Sequence, residues 1–137
     1  MQGQKKQLPT LLVQDAPRFE YRGLMLDVAR HFQSKEELLK ILDIMGDYKL
    51  NKLHLHFSDD EGWRIEIPTL PELVEVGAAR QHHTQGKGLL PAYGSGAEGS
   101  TGLSNGYYTK ADFVEILSFA SARNIEIIPE IEFPGHA

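Results

Sequence analysis

Apolar runs of strand length alternate along this chain with amphipathic stretches of helix length, and that order constrains the fold more than any other feature. Residues 22–29, Arg-Gly-Leu-Met-Leu-Asp-Val-Ala, make a candidate first strand, apolar enough to be covered on both faces. A helix follows: Ser34 and Glu37 have the capping-box spacing, and Leu38, Ile41, Leu42 and Met45 form one stripe. Residues 51–57, Asn-Lys-Leu-His-Leu-His-Phe, alternate as a second strand. A second helix is predicted from Thr109, with Asp112 in the capping-box position and Phe113, Ile116, Leu117 and Ala120 as its stripe. Asn124 suits a left-handed cap, and residues 125–131, rich in isoleucine, form a third strand that runs into Pro134-Gly135. Strand, helix, strand, long loop, helix, strand predicts an α/β fold with a parallel sheet and right-handed crossovers.

Residues 1–18, with Pro9 and Pro17 around Leu11-Leu12-Val13, read as a linker or lead-in from an upstream domain, leaving 19–137 as the structured part. From about residue 68 to 108, Pro, Gly, Ser and His dominate, and Gly94 to Gly106 is nearly low-complexity. Loops that long usually serve as functional lids or inserts. His82 and His83 within it are read as solvated. A closed barrel of eight strand-helix units needs about 250 residues, so a chain of 137 holds roughly half of one.

A net charge of −5 without a basic run argues against nucleic acid as the main partner, which leaves neutral ligands as the simpler expectation. The lack of cysteine removes disulfide and thiolate chemistry. No stretch approaches the roughly 20 apolar residues of a membrane span, so no membrane partner is expected. Met1 to Lys6 is polar, so no signal peptide is read in this chain. The compartment is left open, with a periplasmic or secreted parent as the working expectation.

Polar groups gather at the C-terminal end of each candidate strand: Asp27 with Arg30 and His31, then Asp59 with Asp60 and Glu61, then Glu130 with Glu132 and His136. Ligands of parallel sheets bind at the carboxyl ends of strands, so three such clusters in succession point to an active site. Arg30 is either a surface residue bridging to Asp27 or a clamp for paired hydroxyls or carboxylates. Trp63 is either a loop anchor or a sugar-stacking platform, and His31 is read as structural. His54 and His56 share one face of the second strand, and the preferred reading is that they are packed and hydrogen-bonded. A metal pair on these two, completed by His136, is the alternative.

The strings Arg22-Gly-Leu-Met-Leu-Asp-Val-Ala-Arg30-His31-Phe32, Asn51-Lys-Leu-His-Leu-His-Phe-Ser-Asp-Asp-Glu-Gly-Trp-Arg64, and Tyr108-Thr109 leading into Pro129-Glu-Ile-Glu-Phe-Pro-Gly-His136 strongly resemble the β-N-acetylhexosaminidases of glycoside hydrolase family twenty. The resemblance spans residues 15 to 137. It implies a TIM (β/α)8 barrel, of which this chain is the N-terminal portion with about three strand-helix units. It also implies removal of terminal N-acetylglucosamine or N-acetylgalactosamine from the non-reducing end of glycans with retention of configuration. No cofactor and no metal are implied. The substrate's own 2-acetamido oxygen attacks the anomeric carbon, a general-acid Glu protonates the leaving oxygen, and an adjacent Asp orients the acetamide.

By the same resemblance, Arg30 holds sugar hydroxyls, and Asp59 with His136 forms a relay that tunes the general acid. Glu132 contacts the acetamide-orienting Asp, although many members carry Asp at that position; Glu61 stands where Gln is frequent. The Asp-Glu pair itself belongs to a fourth strand that this chain does not contain. The chain alone is therefore expected to be inactive, with the missing C-terminal half of the barrel as its partner. A non-catalytic sugar-binding fragment is the second reading, and a metal-dependent barrel hydrolase using His54, His56 and His136 the third. All of this requires Arg30, Asp59 and His136 to converge at one mouth.

Overall fold

The structure is a computed structural model that describes residues 10–79 and 105–136. His82, His83 and most of the Gly94 to Gly106 stretch lie outside the described residues, as does the start of the lead-in. The described elements are β1 (Gly23–Asp27), α1 (Lys35–Asp47), β2 (Lys52–His56), β3 (Ser58–Asp59), β4 (Gly62–Trp63), α2 (Glu72–Glu75), α3 (Lys110–Ser121) and β5 (Glu126–Glu130). The chain is thus a mixed α/β structure, and the three main strands form a parallel sheet in the order β1-β2-β5. The three candidate strands are thus present and parallel as predicted, with β1 and β5 at the edges.

Both long helices begin where the capping signals place them. The Ser34 hydroxyl accepts from the Glu37 amide at 3.3 Å while the Glu37 carboxylate accepts from the Ser34 amide at 3.1 Å. Thr109 and Asp112 repeat the exchange at the start of α3, both bonds at 3.1 Å. Each pair satisfies amides that the first helical turn otherwise leaves without partners. Asn124 adopts the left-handed conformation expected of it, at φ 56°, and turns the chain from α3 into β5.

Leu38, Leu42 and Met45 of α1 and Ile116 and Ala120 of α3 pack on Val28, Leu53, Leu55, Phe57 and Ile125, which come from one face of the sheet and its ends. Leu117 departs from the predicted stripe and is 40% exposed. Phe119 joins Phe113 among the partly buried side chains packed against this core. The strand register puts Met25, His54 and Ile128 in one row of the other face, and Asp27, His56 and Glu130 in the next. β1 is consequently not covered on both faces: Leu24 and Met25 are 39% and 48% exposed. Nor is the uncovered face of the sheet simply apolar, since its C-terminal half carries two acids and two imidazoles.

Beyond β2 the chain folds into the small antiparallel hairpin β3-β4, which pairs Ser58 with Trp63 and Asp59 with Gly62. Arg64 follows it and is fully buried. The structure makes this guanidinium a fastener. Nε and Nη2 donate to Ala29 O at 3.1 and 2.9 Å, and Nη1 donates to Ala78 O at 2.9 Å and Gly106 O at 3.1 Å. A Cβ on Gly62 would stand 2.5 Å from this guanidinium, so the hairpin needs glycine there. Trp63 donates from Nε1 to Ile65 O at 2.5 Å and from its amide to Gly77 O at 2.9 Å, which makes it the loop anchor of the two roles considered.

Arg64→Met should cost about 3 kcal/mol, because it leaves the Ala29 and Gly106 carbonyls without this donor while Ala78 O keeps only the Gly106 amide, and Arg64→Lys should recover less than half of that, since one ammonium cannot reproduce the fork. Urea unfolding followed by circular dichroism measures both.

Candidate active site

The site grows from the carboxyl ends of the strands. Asp27 is the last residue of β1, and in the turn after it the Arg30 amide donates to Asp27 Oδ1 at 3.0 Å while Nη1 donates to Oδ2 at 2.7 Å. This short loop aims the guanidinium across the end of the sheet. Its Nη2 lies 2.6 Å from Asp59 Oδ2, and its Nε lies 3.4 Å from Glu61 Oε2. Arg30 thus bridges to Asp27, one of the two roles considered for it, and its side chain remains 43% exposed at the mouth.

Asp59 is the centre of the cluster, with a side chain only 4% exposed. Besides Arg30, its Oδ2 meets Nε2 of His56 at 2.8 Å. Its Oδ1 accepts from the Asp60 amide at 2.8 Å and lies 3.2 Å from Nδ1 of His136. Asp59 is held there because the hairpin turns back immediately after β2, and the Phe57 amide bonds Glu130 O at 3.0 Å, tying that turn to β5. Past β5, the Glu132 amide donates to Ser58 Oγ at 2.9 Å, so the segment carrying Glu132 and His136 leans over the hairpin. His136 takes a left-handed conformation, φ 60°, and its side chain stays 61% exposed.

Arg30, Asp59 and His136 are thus in direct contact, and a Glu132 carboxylate oxygen lies within 4.8 Å of ligand atoms of His56 and Glu130. The four residues singled out from sequence share one mouth. Two others join them: His56, read as packed and hydrogen-bonded, whose ring is buried between Asp59 and Glu130, and Glu130, grouped at its strand end without an individual role, whose Oε2 is 2.6 Å from His54 Nε2 and 3.1 Å from His56 Nδ1. Their signal was present in the alternation of 51–57 and in the acid that ends the third strand, but only the register between strands brings them face to face. A groove of about 550 Å³ lined by Arg22, Lys49, Asn51 and Arg123 lies at the opposite, N-terminal ends of the strands and includes none of these residues.

The sequence model of the glycosyl hydrolase family 20 catalytic domain matches residues 19–137. The chain belongs to this family. It is 61% identical over 131 residues to the N,N'-diacetylchitobiase of Vibrio harveyi and 52% identical over 126 residues to a beta-hexosaminidase of Vibrio vulnificus. Those alignments take in 95% and 91% of this chain but 15% of each relative. The crystal structure of a GH20 exo beta-N-acetylglucosaminidase from Vibrio harveyi, in complex with N-acetylglucosamine, resembles this one with a TM-score of 0.73 at 43% identity, covering 89% of this chain and 18% of that one. The chain therefore spans less than a fifth of the length of these proteins.

In this family-20 chain, the metal alternative does not assemble. The cation-sized groupings of ligand atoms among the described residues are His56 with Glu130 and Glu132, and Asp59 with Asp60 and His136. Neither combines His54, His56 and His136, because His54 and His56 both turn to Glu130 while His136 meets Asp59 and Asp60.

The electrostatics favour ionised partners. Burial pushes the Asp59 carboxyl up, but bonds from His56, the Asp60 amide and His136, together with the Arg30 charge, more than reverse this and leave it below its ordinary value of 3.8. Burial likewise opposes charge on His56, and the Asp59 and Glu130 carboxylates prevail, raising it above 6.5. Stability from Asp59 is therefore complete above 3.8 and lost as pH falls through its lower native value. That from His56 is complete below 6.5 and lost as pH rises through its higher native value. The urea midpoint should peak between these limits. Asp59→Asn should make the acid fall shallower and move the alkaline fall to lower pH, as urea titrations at a series of pH values would record.

Proposed function

We propose that this chain supplies the sugar-holding arginine and half of the proton circuit of a retaining β-N-acetylhexosaminidase, one that removes terminal N-acetylglucosamine or N-acetylgalactosamine from the non-reducing end of glycans. The observation that carries this reading is the contact of Arg30 and His136 with the same buried carboxylate, Asp59, at the carboxyl end of a parallel sheet. In the same reading, β1, β2 and β5 are the first three strands of a (β/α)8 barrel, residues 19–137 are the N-terminal portion of its catalytic domain, and residues 1–18 lead in from an upstream domain.

Each residue then has a physical task. Arg30, held by Asp27 and Asp59, presents a rigid fork of donors to ring hydroxyls, which suits a neutral sugar better than a mobile ammonium would. Asp59 binds one nitrogen of His136 and leaves the other for the general acid contributed by a fourth strand. That acid is protonated before the step and ionised after it, so its proton affinity has to lie near the working pH, and the Asp59–His136 pair tunes it. The adjacent fourth-strand Asp orients the 2-acetamido group, whose oxygen attacks the anomeric carbon while the leaving oxygen takes the acid's proton; water then opens the cyclic intermediate. Glu132 reaches that orienting Asp with a side chain one methylene longer than the Asp of many members. Glu61 adds negative charge beside Arg30 where Gln is frequent.

The fourth-strand pair is not among these residues, so the chain alone should give no turnover of a chromogenic N-acetylglucosaminide. Co-expression with the C-terminal half of a family-20 barrel should restore it. Turnover by the isolated chain at the level of a full-length relative would overturn the reading, and tight calorimetric binding of N-acetylglucosamine without restorable turnover would favour a sugar-binding fragment. In the reassembled enzyme, Arg30→Lys should lower kcat/KM about 100-fold, because one point charge replaces a positioned fork.

A further inference from the structure

The relay reading gives Asp59 a partner on one oxygen and leaves open what fixes the other. Oδ2 meets Nε2 of His56 at 2.8 Å and Nη2 of Arg30 at 2.6 Å. Arg30 is a divided anchor, since it also serves Asp27 and Glu61 and its side chain is 43% exposed. His56 is a fixed one: its side chain is 6% exposed, and its position in β2 is registered against Asp27 of β1 and Glu130 of β5. On the far side of the ring, Nδ1 lies 3.1 Å from Glu130 Oε2, at ion-pair distance, and neither of these buried atoms has a hydrogen-bond partner among the described residues.

A neutral imidazole has one N–H and donates from a single nitrogen, whereas the protonated ring donates from both. His56 stands between two carboxylates, so only the charged ring leaves neither acid facing a lone pair. The charged and titratable groups around it are Asp27 from β1, Asp59 from β3, Glu130 and Glu132 from β5 and the segment after it, and His54 from its own strand. Arg30, Glu61 and His136 are reached through Asp59. Carboxylates outnumber bases in this set, which also favours a cation at its centre.

We propose that His56 is a positioning residue: a charged ring that ties Asp59 Oδ2 to Glu130 across β2 and β5, and thereby turns Asp59 Oδ1 toward His136. Its use in catalysis rests on the glycosidase reading above; the state of the ring does not. His56 touches neither sugar nor reacting atoms in that reading, and acts through Asp59.

The test is a long-range proton–nitrogen NMR titration of the histidine rings in the isotope-labelled chain, with His56 assigned by its loss in His56→Gln. The expected result is a ring protonated on both nitrogens at pH 7, with a titration midpoint above that of an unperturbed histidine. Asp59→Asn and Glu130→Gln should each lower that midpoint by about one pH unit, the scale of losing one close opposite charge. A neutral, singly protonated His56 at pH 7 overturns the proposal, as does a midpoint that neither substitution moves. If both variants fail to fold, the wild-type spectrum decides alone. In the reassembled enzyme, His56→Leu should shift the pH profile of kcat/KM, and His56→Gln, which keeps a donor toward Asp59, should restore most of it. A charged His56 in a reassembled barrel without turnover would instead sink the glycosidase reading and leave this one standing.

Discussion

A guanidinium without solvent contact holds this structure in register. Arg64 joins the exit of β1 at Ala29, the end of the β3-β4 hairpin that carries it, the turn at Ala78 and the return of the chain at Gly106. A buried charge is tolerable only when its donors are met, and here backbone carbonyls meet them. The functional consequence is direct. Ala29 precedes Arg30, and the hairpin carries Asp59, so a buried cation sets the spacing between the two groups that meet at the mouth.

At that mouth, four acids each meet a base. Asp27, Asp59, Glu61 and Glu130 surround Arg30 and the rings of His54, His56 and His136, each within ion-pair distance of at least one of them. The Asp59–His56 pair at the centre, 4% and 6% exposed, lies out of water, where charge–charge attraction is stronger than at a free surface, while Arg30 and His136 stay open to solvent. The result is a pre-positioned set of donors and acceptors, the kind of arrangement that general acid catalysis draws on.

Much of the fold was legible because its signals are local. Ser34 with Glu37 and Thr109 with Asp112 mark helix starts by a bond that spans three residues, and Asn124 marks a helix end by its own φ. The alternation of 51–57 announced β2, and the acids at strand ends announced the site. What escaped is non-local. The two-residue strands β3 and β4 are too short for any periodicity, and Leu117 stays 40% exposed although it belongs to the apolar stripe of α3. The burial of Arg64 is likewise non-local, because a charge in a polar loop gives no hint of it.

The amino-acid order by itself determined the alternation of strands and helices, the parallel class of the sheet and the family, since each depends on patterns within one segment or on motifs read in series. Only the tertiary structure decided which charges face one another. That His56 lies against Glu130 while Asp59 serves Arg30, His56 and His136 at once follows from strand register and from a hairpin folded back over the sheet. Electrostatic energy depends on distances of a few ångströms between residues far apart in the chain, and such distances exist only once the chain has folded.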